Sequence, residues 1–299
     1  MLIQQAINGL TLGSIYALVA LGYTLVYGIL LLINFAHSEI FMVGAYIGLF
    51  AILLFSSLMP GSPAAIVVCA LVFSMAATGV LGVVMEAVAY RPLRSAPRLA
   101  PLISALGVSI FLQNIMMLLF GAESKTFPDA MPVRVYTFSG GTTVSSLQLF
   151  IIFTSIFLML ALNIFIKKTK LGKAMRATSQ DLETSQLMGI NVNAIISLTF
   201  FIGAGLGGAA GVLNGMYYGS IKYNMGFIPC IKAFTAAVLG GIGNVPGAMV
   251  GGFLLGILES LCAGYISSVY KDVFAFVILI LVLIFKPEGL FGSKSADKV

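Results

Sequence analysis

The sequence predicts an all-α integral membrane protein with about eight or nine transmembrane helices. Of its 299 residues 60% are hydrophobic and 9% are charged, whereas about a quarter of the residues in a soluble domain are charged. The hydrophobic fraction amounts to roughly 180 residues, enough for about eight or nine crossings at ~20 residues each. This composition excludes a water-soluble globular protein.

Apolar runs separated by polar, proline or glycine residues give the order of the predicted spans in one transmembrane domain over residues 1–299. The run near 228–244 is short and contains Lys232, so a tilted, broken or re-entrant helix is the alternative to a full crossing there. The predicted spans lie near residues 6–33, 38–57, 64–89, 100–120, 148–166, 192–217, 228–244, 247–265 and 271–286.

Lys and Arg collect in two short clusters, and cytoplasmic loops of membrane proteins are enriched in these residues. Two predicted spans separate the clusters, so both can face the cytoplasm, and counting the remaining spans places the N-terminus outside and the C-terminus inside. Because the cations do not follow one polar face, nucleic acid is not an expected partner. The clusters are Arg91, Arg94 and Arg98, and then Lys167, Lys168, Lys170, Lys173 and Arg176.

Motifs for nucleotide hydrolysis, metal binding and nucleophilic catalysis are missing from the sequence. Gly172-Lys173 is followed by Ala174 and lacks the upstream glycine of a phosphate-binding loop. With His37 as the one histidine and three widely separated cysteines, neither a zinc cluster nor a Ser-His-Asp arrangement can be assembled. We therefore expect no enzymatic activity, no metal and no cofactor.

Glycine spacing indicates close helix packing. Gly203, Gly207, Gly211 and Gly215 recur every four residues, a pattern that lets helix backbones approach closely in a membrane. The alternative is that these glycines let the helix bend around a pathway.

A short internal similarity suggests an inverted repeat. Tyr27-Gly28 followed by Asn34 resembles Tyr218-Gly219 followed by Asn224, and each precedes an apolar segment. The first and sixth predicted spans, which carry these residues, differ by an odd number of crossings, so the two copies would be inverted relative to each other.

The most unusual polar cluster is Asn34-Phe-Ala-His37-Ser38-Glu39, between two apolar runs. An ionised side chain costs about 2.5–3.5 kcal/mol at the centre of a membrane helix, so Glu39 needs water or a partner. One interpretation is a loop with a helix cap, in which Asn34 or Ser38 binds free N–H groups at the next helix start. The other is a pathway or gate lined by Asn34, His37 and Glu39.

Three further charged side chains fall within apolar segments. One interpretation of Lys232 and Glu259 is that they pair with each other or extend their charged ends to the membrane surface. The other is that Lys232 lines the pathway or gate. Glu86 is expected to pair with Arg91 or Arg94 at the membrane interface.

The segment from Lys170 to Asn191 is too polar to span a membrane and is predicted to form short helices ended by Gly189. A helix lying across the membrane surface is one interpretation, and a plug for a groove of a partner protein is the other. The compact apolar face predicted for these helices consists of Ala174, Ala177, Leu182 and Leu187.

Four groups of residues together carry a specific resemblance over nearly the whole chain. They are Asn8-Gly9-Leu10 with Gly13 and Tyr16-Ala-Leu, Ile33-Asn-Phe-Ala-His37 with Glu39 and Gly44-Ala-Tyr, the loop 172–191, and Lys232-Ala-Phe-Thr-Ala-Ala-Val-Leu-Gly-Gly-Ile-Gly with Pro246-Gly. In these groups the chain resembles the permease subunits of bacterial ABC importers for branched-chain amino acids.

The resemblance implies a multi-pass protein of the bacterial inner membrane that moves leucine, isoleucine or valine into the cytoplasm. It implies two ATPase subunits, a second homologous permease subunit and an extracytoplasmic substrate-binding protein as partners, besides membrane lipid. It also implies that residues 167–191 form a cytoplasmic coupling loop seated on an ATPase subunit. The coupling residues are Gly172, Ala174, Arg176, Ala177, Asp181, Leu187, Gly189 and Ile190.

Three alternatives stay open from the sequence. A urea or short-amide importer permease is the nearest, because such permeases share the glycine pattern and the Asn-x-Ala-His cluster. An ion-coupled secondary transporter would use Glu39, Lys232 and Glu259 as a relay. A membrane enzyme would use Glu39 and His37 as acid and base.

Overall fold

The computed structural model describes residues 1–59, 61–94, 96–97, 99–138 and 141–292. Arg98 of the first predicted basic cluster lies outside these residues. The helices are α1 (Leu2–Leu30), α2 (His37–Leu58), α3 (Pro63–Met85), α4 (Leu99–Phe120), α5 (Ser146–Lys168), α6 (Lys170–Gln180), α7 (Leu182–Leu187), α8 (Val192–Tyr218), α9 (Phe227–Gly240), α10 (Val245–Tyr265) and α11 (Lys271–Phe285), and the strands are β1 (Lys125–Thr126), β2 (Val135–Phe138), β3 (Thr142–Ser145) and β4 (Ser220–Ile221).

Seven of the described helices are long and apolar enough to cross a membrane, namely α1, α2, α3 with its continuation to Leu93, α4, α5, α8 and α10. Two more apolar helices are short, because α9 has 14 residues and α11 has 15. At a rise of 1.5 Å per residue they reach only about 21 and 22 Å, less than the ~30 Å hydrocarbon core. The predicted count of eight or nine is therefore approximate, and the segment predicted at 228–244 forms the short helix α9.

The described part of the chain contains two small antiparallel sheets that were not predicted. β2 pairs with β3 in a hairpin between α4 and α5, and β1 pairs with β4. The helix after the hairpin begins with a capping box, in which Ser145 and Gln148 exchange backbone and side-chain hydrogen bonds of 3.0 and 3.1 Å. β1, β2 and β3 lie in the segment between α4 and α5, and β4 lies between α8 and α9. No long apolar run marks these strands in the sequence.

The bundle has two distinct ends, which we name by their elements. At the hairpin end, the Gln4 side chain accepts a hydrogen bond of 2.8 Å from the Thr143 backbone N–H of β3, so α1 begins there. At the other end, which we call the α6 end, Glu288 lines a cavity together with Arg176 of α6. The backbone N–H of Leu290 donates there to the Leu239 carbonyl at 2.8 Å, so the chain after α11 lies beside the end of α9. Met1 and Leu290 are therefore at opposite ends.

Glycines bring the central helices into backbone contact. The central helix is α1, with 83% of its apolar stretch buried, whereas the value for α4 is 11%. A Cβ atom added to Gly13 of α1 would lie 2.8 Å from the Gly252 carbonyl oxygen of α10, and Gly44 of α2 packs directly on Gly208 of α8. A side chain at these crossings would push the helices apart. Gly211 of the predicted stripe also packs directly on the backbone of α2, so the packing interpretation is correct there.

Candidate functional site

Helices α2 and α9 both begin inside the bundle. His37, the first residue of α2, packs against Gly22 of α1 and Gly207 of α8. At a rise of 1.5 Å per residue, Gly22 lies about 12 Å before the end of α1, and Gly207 lies about 22 Å after the start of α8. His37 is therefore deep within the bundle. Gly226, which precedes α9, packs against the Ser38 backbone carbonyl. The N-termini of the two helices therefore meet in the protein interior.

Each of these two helices follows a long helix and a short connection, and the two long helices, α1 and α8, run in opposite directions. α1 runs from the hairpin end to the α6 end, and residues 31–36 return without helix to α2. α8 runs the other way, and residues 219–226 return to α9. This is the inverted arrangement that the sequence similarity suggests. Non-helical backbone at this depth is found where it is enclosed by protein or lines a cavity, and it is frequent at transport sites.

Glu39 lies in the first turn of α2 and is 3% exposed. Its Oε1 atom accepts hydrogen bonds from the hydroxyls of Ser38 at 3.1 Å and of Ser109 in α4 at 3.0 Å. Its Oε2 atom is buried and has no hydrogen-bond partner among the described residues. Two serine hydroxyls and the positive end of α2 thus stabilise a carboxylate that is otherwise removed from water.

Aromatic side chains close the bundle beneath this cluster. The ring of Tyr23 lies 4.8 Å from the His37 ring and 6.0 Å from the Phe234 ring of α9, edge to face in both cases. Tyr27 and Ile33 lie next to these rings on the side of the α6 end. The gap between these side chains has no space for a water molecule. We call the three aromatic side chains Tyr23, Tyr27 and Phe234, together with Ile33, the aromatic layer.

Cavities lie towards both ends from the aromatic layer. A cavity of about 840 Å³ at the α6 end is lined by polar groups that include Asn163, Arg176, Asn244 and Glu288. A cavity of about 360 Å³ towards the hairpin end is lined by Tyr16, Asn214, Lys232 and Asp272, among others. The aromatic layer therefore lies between two cavities that are both large enough to hold several water molecules.

Asn34 has structural partners on both sides. Its side-chain oxygen accepts hydrogen bonds from the backbone N–H of Ala36 at 3.0 Å and from the hydroxyl of Tyr90 at 2.7 Å. The cap position of α2 is Ala36, and neither Asn34 nor Ser38 binds the free N–H groups as a helix cap. The capping interpretation is therefore wrong in detail, although Asn34 does order the chain that leads to α2.

Lys232 of α9 forms a buried ion triad with two carboxylates of other helices. Its Nζ atom is 2.6 Å from Glu259 Oε1 of α10 and 2.5 Å from Asp272 Oδ1 of α11. The Lys232 and Glu259 side chains are 4% and 2% exposed, whereas that of Asp272 is 39% exposed. Pairing with Glu259 is confirmed, and the triad joins α9, α10 and α11.

A second ion cluster fastens α3 to α8 near the α6 end. The buried Glu86 carboxylate forms ion pairs with both Arg91 and Arg94. It also accepts a hydrogen bond of 2.8 Å from the Ser197 hydroxyl, and Arg94 donates to the Asn193 side chain at 2.6 Å. The predicted pairing of Glu86 is confirmed, and the cluster places two cations at this end.

Helices α6 and α7 form a short unit outside the spans. The Thr169 hydroxyl caps α6 by accepting the Gly172 N–H at 2.9 Å. Asp181 Oδ1 caps α7 by accepting the N–H groups of Glu183 at 2.9 Å and Thr184 at 3.1 Å. Gly189, at φ +83°, ends the unit as predicted.

The face of α6 and α7 that packs on the bundle differs from the predicted one. Ala174 and Ala177 are half-buried, whereas Leu182 and Leu187 are exposed. A Cβ atom on Gly172 would overlap the backbone carbonyls of α5, which explains why a glycine lies against that helix. The buried positions of the unit are Gly172, Met175, Thr178 and Ser185.

The outer side of this unit exposes apolar groups to solvent. Leu187 is 87% exposed and the adjacent Met188 is 78% exposed. Asp181 and Gly189 are also exposed, and Ile190 is half-buried. Arg176 is exposed as well, but it lines the cavity at the α6 end. Apolar side chains exposed beside charged ones are typical of a surface that another protein covers.

Sequence reasoning missed three residues of these sites. Tyr23 and Phe234 fall inside apolar runs, where an aromatic residue gives no separate signal. Asp272 lies at a predicted helix start, where an acidic residue is common. Contacts between distant helices, rather than a local motif, identify all three.

Membrane-length helices, two helices that begin inside the bundle and an exposed amphipathic unit together define a multi-pass membrane transport protein. Residues 5–283 match the family model of the permease component of branched-chain amino acid transport systems. The chain belongs to this family.

Full-length relatives agree with this assignment. The high-affinity branched-chain amino acid transport system permease protein BraD of Pseudomonas aeruginosa is 48% identical over 99% of this chain and 98% of its own length. LivH of Escherichia coli, with the same description, is 44% identical over 99% of this chain and 97% of its own length. A probable LivH of Methanocaldococcus jannaschii is 29% identical over 93% of this chain and 89% of its own length.

Proposed function

We propose that the chain is the transmembrane permease subunit of an ABC importer that carries leucine, isoleucine and valine into the cytoplasm. The observation that carries the proposal is the similarity over almost the full length to BraD and LivH, both described as high-affinity branched-chain amino acid permeases. Because this chain has no phosphate-binding loop, ATP hydrolysis takes place on separate ATPase subunits.

The unit of α6 and α7, within residues 167–191, is the surface on which an ATPase subunit docks. Its support is the exposed apolar pair Leu187 and Met188 on a helix capped by Asp181. Caps at both helix starts keep the unit rigid, so a movement of the ATPase would be transmitted through Gly172 to α5 and through Val192 to α8. Two ATPase subunits, a second homologous permease and an extracytoplasmic binding protein complete the importer.

The α6 end faces the cytoplasm in this proposal, and the hairpin end faces outside. The cations Arg91, Arg94, Lys167, Lys168 and Lys170 lie at the α6 end, as the enrichment of cytoplasmic loops in Lys and Arg requires. The N-terminus then lies outside, and the chain after α11 lies in the cytoplasm. The membrane is the inner membrane of a bacterium.

The aromatic layer serves as the closed gate between the two cavities. His37 packs on one side of it, and the cavity containing Arg176 lies on the other. A change in the tilt of α9, which carries Phe234, would separate Phe234 from Tyr23 and open the path. The short length of α9 favours this movement, because a helix of 14 residues can shift without moving a full transmembrane span.

Reconstitution of the importer in proteoliposomes tests the proposed function. Radiolabelled leucine is expected to accumulate only when the ATPase subunits, ATP and a leucine-loaded binding protein are all present, whereas urea and acetamide are not taken up. Uptake of urea in place of leucine would assign the alternative short-amide importer. Leucine uptake by this chain alone, driven by a sodium or proton gradient, would contradict the ABC importer and assign a secondary transporter.

A further inference from the structure

The cavity towards the hairpin end has the size of a site for a small ligand. Its volume is about 360 Å³, within the range of about 300–1,000 Å³ that ligand sites occupy. It lies between α1, α8, α9 and α11 and opens beside β4. Its lining residues are Tyr16, Ser124, Asn214, Tyr218, Ser220, Ile221, Lys222, Met225, Ile228, Pro229, Lys232, Lys271 and Asp272.

Groups of both charges lie in the wall of this cavity. Asp272 is the accessible member of the ion triad, whose single cation Lys232 is shared with Glu259. With one lysine and two carboxylates ionised, the triad carries one excess negative charge. Lys222 and Lys271 belong to the same wall, and they contribute cations that lie outside the triad.

The N-terminus of α9 adds a positive end to the cavity. Gly226, at the cap position, provides no side-chain hydrogen bond. Ile228 and Pro229 of the first turn line the cavity, so the free backbone N–H groups of a 14-residue helix begin at its wall. A carboxylate beside them would be stabilised by the helix dipole.

We propose that this cavity binds the zwitterionic backbone of an aliphatic amino acid on its way from the binding protein to the aromatic layer. The carboxylate lies between Lys271, Lys222 and the start of α9, and the ammonium group lies at Asp272. The aliphatic side chain packs on Ile228 and Met225. The proposal rests on the proposed function and adds to it the chemical class recognised by the permease itself.

Saturation-transfer difference NMR on the complete importer in lipid nanodiscs, without binding protein, measures such a weak site directly. Leucine is compared with 4-methylpentanoate, which lacks the ammonium group, and with 3-methylbutylamine, which lacks the carboxylate. Each analogue is expected to bind about tenfold more weakly than leucine, the effect of one lost charge-assisted hydrogen bond. Equal binding of all three compounds, or no binding of leucine, would overturn the proposal.

Two variants connect the signal to the cavity. Asp272→Asn and Lys271→Gln are each expected to weaken leucine binding about tenfold. Because Lys271 is not part of the ion triad, Lys271→Gln leaves the triad intact and tests the cavity without a loss of folding. The matched control is Lys125→Gln on β1, a lysine at the same end that is not part of the cavity wall. Wild-type affinity in Lys271→Gln, or the same loss in Lys125→Gln, would contradict the assignment.

Transport separates this proposal from the proposed function. With a saturating binding protein, Lys271→Gln is expected to lower kcat for leucine uptake several-fold, to leave KM unchanged and to retain ATP hydrolysis stimulated by the binding protein. If the wild-type importer takes up leucine and Lys271→Gln does so at the same kcat, only the cavity site is wrong. If the wild-type importer takes up no leucine at all, the proposed function is wrong.

Discussion

Lys232→Met is expected to lower the free energy of unfolding by about 3–5 kcal/mol, the range for removing one partner of a buried ion pair. The substitution leaves Glu259 and Asp272 without the cation that both now contact, at the junction of α9, α10 and α11. We expect a large loss of monodisperse protein in detergent and a lower Tm, measured by size-exclusion chromatography with fluorescence detection after heating.

Glu259→Gln provides the contrast. This variant leaves Lys232 paired with Asp272 and removes the excess negative charge of the triad, so it is expected to cost less stability than Lys232→Met. Lys125→Met, at a lysine of β1 outside the spans, controls for the loss of a lysine and is expected to leave Tm unchanged. A Tm of Lys232→Met equal to that of the wild type would show that the ion triad does not hold these helices together.

Leu187→Glu is expected to abolish coupling without unfolding the chain. Because Leu187 is 87% exposed here, a carboxylate at this position is solvated in the isolated permease. In the proposed complex it would be buried against an ATPase subunit, at a cost of about 3–5 kcal/mol when unpaired, or at least about a hundredfold in affinity. Co-purified ATPase and leucine uptake should both fall to background, at an unchanged Tm of the permease.

Val133→Glu is the matched control for this variant. Val133 is also exposed, at 52%, but it lies in the loop before the hairpin at the opposite end of the bundle. The same apolar-to-acidic change is therefore expected to leave ATPase co-purification at the wild-type level. Normal ATPase binding by Leu187→Glu would show that the unit of α6 and α7 is not the docking surface.

The spans were predictable because each is a long apolar run bounded by polar or glycine residues. The predicted span 192–217 differs from α8 by one residue at its C-terminal end. The first predicted span extended too far, since Leu31 adopts a left-handed conformation at φ 54° and ends α1 after Leu30. Residues 31–33 are apolar, so hydropathy alone gives no sign that the helix has stopped.

The details of the site depend on contacts that no local pattern contains. The packed face of α6 includes Gly172 and Thr178, residues that hydropathy does not rank as apolar. The predicted face of Ala174, Ala177, Leu182 and Leu187 is therefore not the face that packs on the bundle. Lys232 and Glu259 are 27 residues apart in sequence, and their pairing could be anticipated because two opposite charges in apolar segments stabilise each other. The third member, Asp272, follows from the packing of α11 and was not predicted.

Thiol labelling of Leu187→Cys tests most directly whether the unit of α6 and α7 is a cytoplasmic docking surface. Cys69, Cys230 and Cys262 are first replaced by alanine, and labelling uses a membrane-impermeant maleimide. We expect labelling in inside-out vesicles stripped of ATPase, protection when the ATPase subunits are added back, and no labelling of intact spheroplasts. Labelling of intact spheroplasts, or equal labelling with and without the ATPase, would contradict this expectation.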